Sequence, residues 1–215
     1  MTESIPRYPD YDVLRKRNTM SWNDPTRTIV DRRLAVDRDP HTLTHAEYAT
    51  LEAICGCIIP QTPGPDFVPI AAYVDQGLTL QLDAGFRYAT LPPSTEAWKR
   101  AIAALDAEAQ RAFGTPFTGL DATRRDTLLA RMQKGELKDP AWGDMPPELF
   151  FKHHILNEIV ASFFAHPTAW SRIGYGGPAS PRGYVRMGFD MRDPWEAAEA
   201  KPGQDAKAAR ENRRV

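Results

Sequence analysis

Apolar residues recur with a helical period in five stretches of this chain, most of them closed by proline or glycine, and the pattern predicts an all-α fold. The first stretch opens at Thr44. Glu47 stands three residues later at capping-box spacing, and Tyr48, Leu51, Ile54, Cys55 and Ile58 then share one face up to Pro60. A second helix is expected from about Phe67, with Pro69 in its first turn and Ile70, Tyr73, Val74 and Leu78 inward. Ser94 can cap a third, in which Trp98, Ile102, Leu105, Ala109 and Phe113 align ahead of Gly114. Asp121 or Thr123 starts a fourth, with Leu128, Leu129 and Met132 inward and Gly135 as its stop. Pro146-Pro147 opens a fifth that runs to about Ala165. It carries Phe150, Phe151, Ile155, Leu156, Ile159, Val160, Phe163 and Phe164, an apolar face wider than one core stripe requires. Such a helix is either central to a small bundle or part of an interface.

The flanking segments read differently. Residues 1–41 are polar and carry Tyr8, Tyr11 and Trp22 without a sustained period, which predicts either a disordered tail or an extended arm laid across a partner. From His166 to Asp193, glycines alternate with aromatic residues, the signature of ordered turns that place rings rather than of a linker. The last residues, from about Glu196 to Val215, are rich in Ala, Lys, Arg and Glu, lack a core face, and read as a frayed helix or a solvated tail. The expected organisation is therefore an N-terminal arm (1–41), a compact bundle of about five helices with an ordered glycine-aromatic region (42–193), and a solvated tail (194–215).

Composition narrows the function classes. A length of 215 residues suits one sizeable domain, and a net charge of −1 with interspersed signs excludes a phosphate-tracking surface, so nucleic acid is not an expected partner. No apolar run approaches the roughly 18 residues of a membrane span. The basic clusters Arg15-Lys16-Arg17 and Arg32-Arg33 are followed by no apolar stretch of the kind an export signal needs. A cytoplasmic location is expected on that ground, or a periplasmic one if a partner carries the signal. Cys55 and Cys57, two apart on a helix, point about 200° apart and read as buried thiols.

Neither GxGxxG nor GxxxxGK[ST] nor GxSxG occurs. Of the five histidines, His154 forms the best local pair, with Glu158 one turn on. A dimetal bundle would repeat such a motif on a second helix, and no second copy exists, so the pair reads as a hydrogen-bonding contact. No catalytic, cofactor-binding or metal-ligating residue is assigned.

The order of features carries more than any one of them. The Cys57-Ile58-Ile59-Pro60 helix end, PGPDFVPIAAYVD, the Trp98 helix, LLARMQKGEL, FFKHHILNEIVASFFAHP, and finally IGYGGP with GYVRMGF together resemble the gluconate 2-dehydrogenase subunit 3 family over about Leu43 to Phe189. The resemblance implies a small subunit partnered with a large flavoprotein of the glucose-methanol-choline oxidoreductase type. That partner would bind FAD and pass electrons to a cytochrome or another acceptor, while this chain would hold it and carry no cofactor. Relatives with a twin-arginine signal escort the flavoprotein through the membrane; the missing apolar stretch puts that role in doubt here. Tyr11, Trp22, Tyr175, Tyr184, Met187 and Phe189 are the expected partner contacts, as rings and a thioether placed in ordered non-helical segments. A stand-alone metal-dependent enzyme using His154 and Glu158, and a chaperone that leaves after maturation, are the competing readings.

Overall fold

The capping box at Thr44 is formed. Its hydroxyl accepts the Glu47 N–H and the Glu47 carboxylate accepts the Thr44 N–H, so the helix begins where sequence spacing places it. A computed structural model describes residues 6–81, 87–183, 192–193 and 195–214. Among them the fold is all-α, with no strand beyond a single isolated bridge between Trp22 and Ser180. The helices are α1 (Asp24–Leu34), α2 (His45–Ile58), α3 (Ile70–Thr79), α4 (Ser94–Phe113), α5 (Ala122–Gln133), α6 (Pro147–Phe150), α7 (Asn157–Ala165), α8 (Pro167–Ile173) and α9 (Asp205–Asn212). A 3-10 turn spans Val13–Asn18, and a π-helical segment, Phe151–Leu156, joins α6 to α7.

The chain divides into two units. One holds Val36–Gly64 and Pro69–Phe163; the other holds Met1–Ala35, Pro65–Val68 and Phe164–Val215. In the first, α2 packs against α3, α4 and α5. Leu51, Ile54, Trp98, Leu105, Phe117, Leu128 and Met132 fill its core with essentially no exposure. Helix α4 ends at Gly114 in the left-handed region, as its sequence requires. Its start differs by one position from expectation, because Pro93 is the cap residue and Ser94 is the first helical residue. Asp121 caps α5 by accepting the Arg124 N–H.

Two buried carboxylates fix the connections of this unit. Asp75 on α3 accepts the N–H groups of His41, at 2.7 Å, and of Leu43, at 2.9 Å, with Thr42 N–H between them. Glu108 on α4 accepts those of Lys138 and Asp139, both at 2.6 Å. The backbone N–H groups of these loop residues are thereby satisfied, and the loops are held on the helices.

The π-helical segment explains the broad apolar face. Phe151, Ile155, Ile159 and Phe163 are spaced by four, a repeat that drifts about 40° per step around an ordinary α-helix. Widening the turn over 151–156 keeps all four buried together with Phe150. Val160 and Phe164, one turn apart on α7, remain 38% and 43% exposed.

The second unit corrects the arm and tail. Residues 6–35 do not trail: Tyr11, Val13, Trp22 and Val30 form one buried cluster with Trp170 and Ala197. Rings that the sequence offered to a partner found apolar surface within the chain itself, which costs no association entropy. The expected tail packs too. Asn212 on α9 is fully buried, accepting the Ala198 N–H at 2.6 Å and donating to the carbonyls of Ala198 and Pro9. An amide that bonds backbone on both sides gives α9 a fixed seat.

Candidate functional site

The Gly174-Tyr175-Gly176-Gly177 stretch after α8 is where the second unit is tied together. Helix α8 is capped by His166, whose Nδ1 accepts the Thr168 N–H, and it closes at Gly174 with φ of +70°. A β-carbon at Gly174 would lie 2.5 Å from the Tyr8 ring. One at Gly177, φ +69°, would lie 2.8 Å from Val13 Cγ2 and 3.4 Å from the Trp22 ring. Glycine is required twice over, for the backbone angle and for the approach of the N-terminal segment.

Polar contacts hold the same seam. Val13 N–H donates to Ser171 Oγ at 3.1 Å, Tyr11 Oη to the Tyr175 carbonyl at 3.4 Å, and Asn23 N–H to the Ser180 carbonyl at 2.7 Å. Lys16, 1% exposed, donates from Nζ to the Gly176 carbonyl at 3.1 Å and lies 5.6 Å from the centroid of the Tyr11 ring. Burial pushes the Lys16 amine down to about 8, with the Arg182 charge adding to the shift and Glu196 opposing it. Burial also raises the Tyr11 phenol well above its ordinary value. Trp170 anchors the seam from α8: its indole N–H donates to the Phe164 carbonyl at 2.6 Å, and its ring meets Tyr175 edge-on at 5.7 Å.

The six expected partner contacts therefore separate. Tyr11 and Trp22 are 6% and 1% exposed and are corrected to internal anchors. Tyr175 is 42% exposed and keeps part of its ring at the surface. Tyr184, Met187 and Phe189 lie outside the described residues. Val160 and Phe164 are exposed apolar residues that the contact set omitted; the unusual apolar width of their helix was the signal for them.

The His154–Glu158 pair belongs to the other unit. His154 Nδ1 lies 2.6 Å from Glu158 Oε1, and the second oxygen, Oε2, accepts the Trp98 indole N–H at 2.7 Å. Phe150 stacks on the imidazole with centroids 5.0 Å apart and meets Trp98 edge-on at 5.1 Å. Both carboxylate oxygens are thus engaged, and the arrangement joins the π-helical turn to α4 as a buttress. Among the described residues, no three His, Cys, Asp or Glu side chains converge as a metal site would need. Cys55 is buried and Cys57 half-buried, and both are free. Burial raises both thiols, that of Cys57 to about 11, with Asp126 contributing.

Among the described residues no helix is long and apolar enough to cross a membrane. No curated protein and no solved structure matches the chain. The family model for gluconate 2-dehydrogenase subunit 3 matches residues 45–177, from the start of α2 to the second glycine that receives the N-terminal segment. That match spans more than half of the chain, which belongs to the gluconate 2-dehydrogenase subunit 3 family.

Proposed function

We propose that this chain is a non-catalytic subunit that binds and stabilises a large FAD-dependent sugar or polyol dehydrogenase of the glucose-methanol-choline type. The family match over residues 45–177 carries the reading, since the family is that of a dehydrogenase subunit. Flavin, sugar and electron acceptor belong to the partner chains, with a cytochrome as one route for the electrons. The exposed apolar side chains support the reading. Val160 and Phe164 occupy successive turns of one helix, and the neighbouring Asn157 and Ala161 are uncharged and exposed. Glu158, the one acidic residue of α7, is engaged by His154 and Trp98 instead of facing outward alone. An uncharged helix face suits the core of a stable subunit interface, where charged residues are depleted.

Substituting both Val160 and Phe164 with Asp tests this. Both sites are exposed, so the fold is expected to keep its circular dichroism while recovery of the co-expressed flavoprotein on this chain falls at least about tenfold, as losing one apolar hot spot does. Undiminished recovery with a folded double variant would count against this surface.

A further inference from the structure

Lys16 is the one lysine whose surface is essentially all buried among the described residues, and neither the fold class nor the proposed subunit role accounts for it. It sits in the 3-10 turn Val13–Asn18, on the segment that closes over Gly174 and Gly177. Among the described residues its amine meets one acceptor, the Gly176 carbonyl at 3.1 Å. The groups facing it come from three segments. Tyr11 is on its own segment, Arg182 follows the glycine motif, and Glu196 lies in the C-terminal segment, where it accepts the Asp193 N–H at 2.9 Å. The other cations of the turn are engaged elsewhere: Arg15 on the carbonyls of Asp10 and Asn212, and Arg17 on the Asp31 carboxylate.

An ammonium has three N–H donors and a strong claim on water. A neutral amine keeps the bond to Gly176 and gives up far less on burial. Arg182 adds repulsion to the charged form, and Glu196 offsets part of it. We propose that Lys16 is a proton-controlled latch: the N-terminal segment grips the glycine motif more tightly when this amine is neutral than when it is charged. The amine lies at about 8 in the closed segment, against an ordinary 10.5 when the segment is open and solvated. Between those values the open form binds more protons, so closure becomes more favourable as pH rises from about 8 towards 10.5. Below about 8 the amine is charged in both forms, and the desolvation penalty is constant. Across the window, each pH unit shifts the closed-to-open ratio by up to about tenfold.

The test uses the full chain carrying 5-fluorotryptophan, followed by fluorine NMR through urea titrations from pH 7 to pH 9.5. Trp22 and Trp170 report the latch, while Trp98 and Trp142 report the other unit. Wild type is compared with Lys16→Met, which removes the titration and leaves every other ionisable group in place. The expected result is that the wild-type opening constant at Trp22 falls relative to that of Lys16→Met by up to about tenfold per pH unit above pH 8. The Trp98 signal should show no such divergence. A ratio between the two proteins that stays constant over the whole range overturns the proposal. If Lys16→Met fails to fold, a direct carbon-13 titration of the wild-type Lys16 Cε decides: a midpoint near 8 supports the latch and one near 10.5 overturns it.

Discussion

Val13 Cγ2 stands 2.8 Å from the point where a β-carbon on Gly177 would be, in a chain whose family match ends at Gly177 and leaves Val13 outside it. The glycine at the end of the matched segment is therefore the seat for a segment that lies outside the match. Tyr8 stands in the same relation to Gly174.

Replacing Gly177 with Ala should cost about 2–3 kcal/mol, combining left-handed strain with overpacking against Val13. Gly203, also in the left-handed region at φ +73° but with open space around it, serves as the comparison. Gly203→Ala should cost roughly 1 kcal/mol. Urea midpoints of the two variants measure the difference. Equal losses would mean that Val13 yields freely.

Asp75→Ala should destabilise by about 3 kcal/mol or more, because three backbone N–H groups in the loop before α2 lose a charged acceptor. Amide exchange at residues 41 to 43 should accelerate before the rest of the unit responds. Unchanged protection there would show that the loop is held by other means.

Asn212→Ala removes three hydrogen bonds at a fully buried position and should cost about 2–3 kcal/mol. Since one of them reaches the Pro9 carbonyl, the N-terminal segment should become more sensitive to limited proteolysis in the same variant. Proteolysis confined to the C-terminal helix would contradict that link.

Cys57, raised from an ordinary 9.0 to about 11, should alkylate with iodoacetamide about a hundredfold more slowly at pH 8 than an unshifted thiol, in proportion to its thiolate fraction. The sign for stability is negative with rising pH: the folded thiol keeps its proton between about 9 and 11 while the unfolded one releases it, so this group favours unfolding across that range. Mass spectrometry of the alkylated chain follows the rate. Labelling as fast as that of a free thiol would place Cys57 in water.

Much of the helical unit was legible in sequence because its signals are local. The capping box at Thr44, the Asp121 cap and the Gly114 stop each act within four residues, and each stands as read. The π-helical turn at 151–156 was visible only as an excess of apolar width, since its cause is the packing of four residues spaced by four. The N-terminal segment escaped for the opposite reason. Nothing near Tyr11 or Trp22 in sequence announces Trp170 or Ala197, which lie more than a hundred residues away and supply the apolar surface that buries them. A short helix such as α1, with Val30 as its one buried residue, has no period to detect. Of the glycine-aromatic motif, sequence pointed to ordered turns that place rings but not to their facing: among the described residues Trp170 is buried and Tyr175 keeps part of its ring at the surface.

The proposed role is that of a small subunit held to a large flavoprotein dehydrogenase. Co-expression with a large glucose-methanol-choline-type subunit, followed by size-exclusion chromatography with absorbance recorded from 300 to 600 nm, tests it most directly. One stoichiometric yellow peak containing both chains, persisting in the mature, active enzyme, is the expected result. A colourless peak of this chain alone, well folded and indifferent to the flavoprotein, would contradict it.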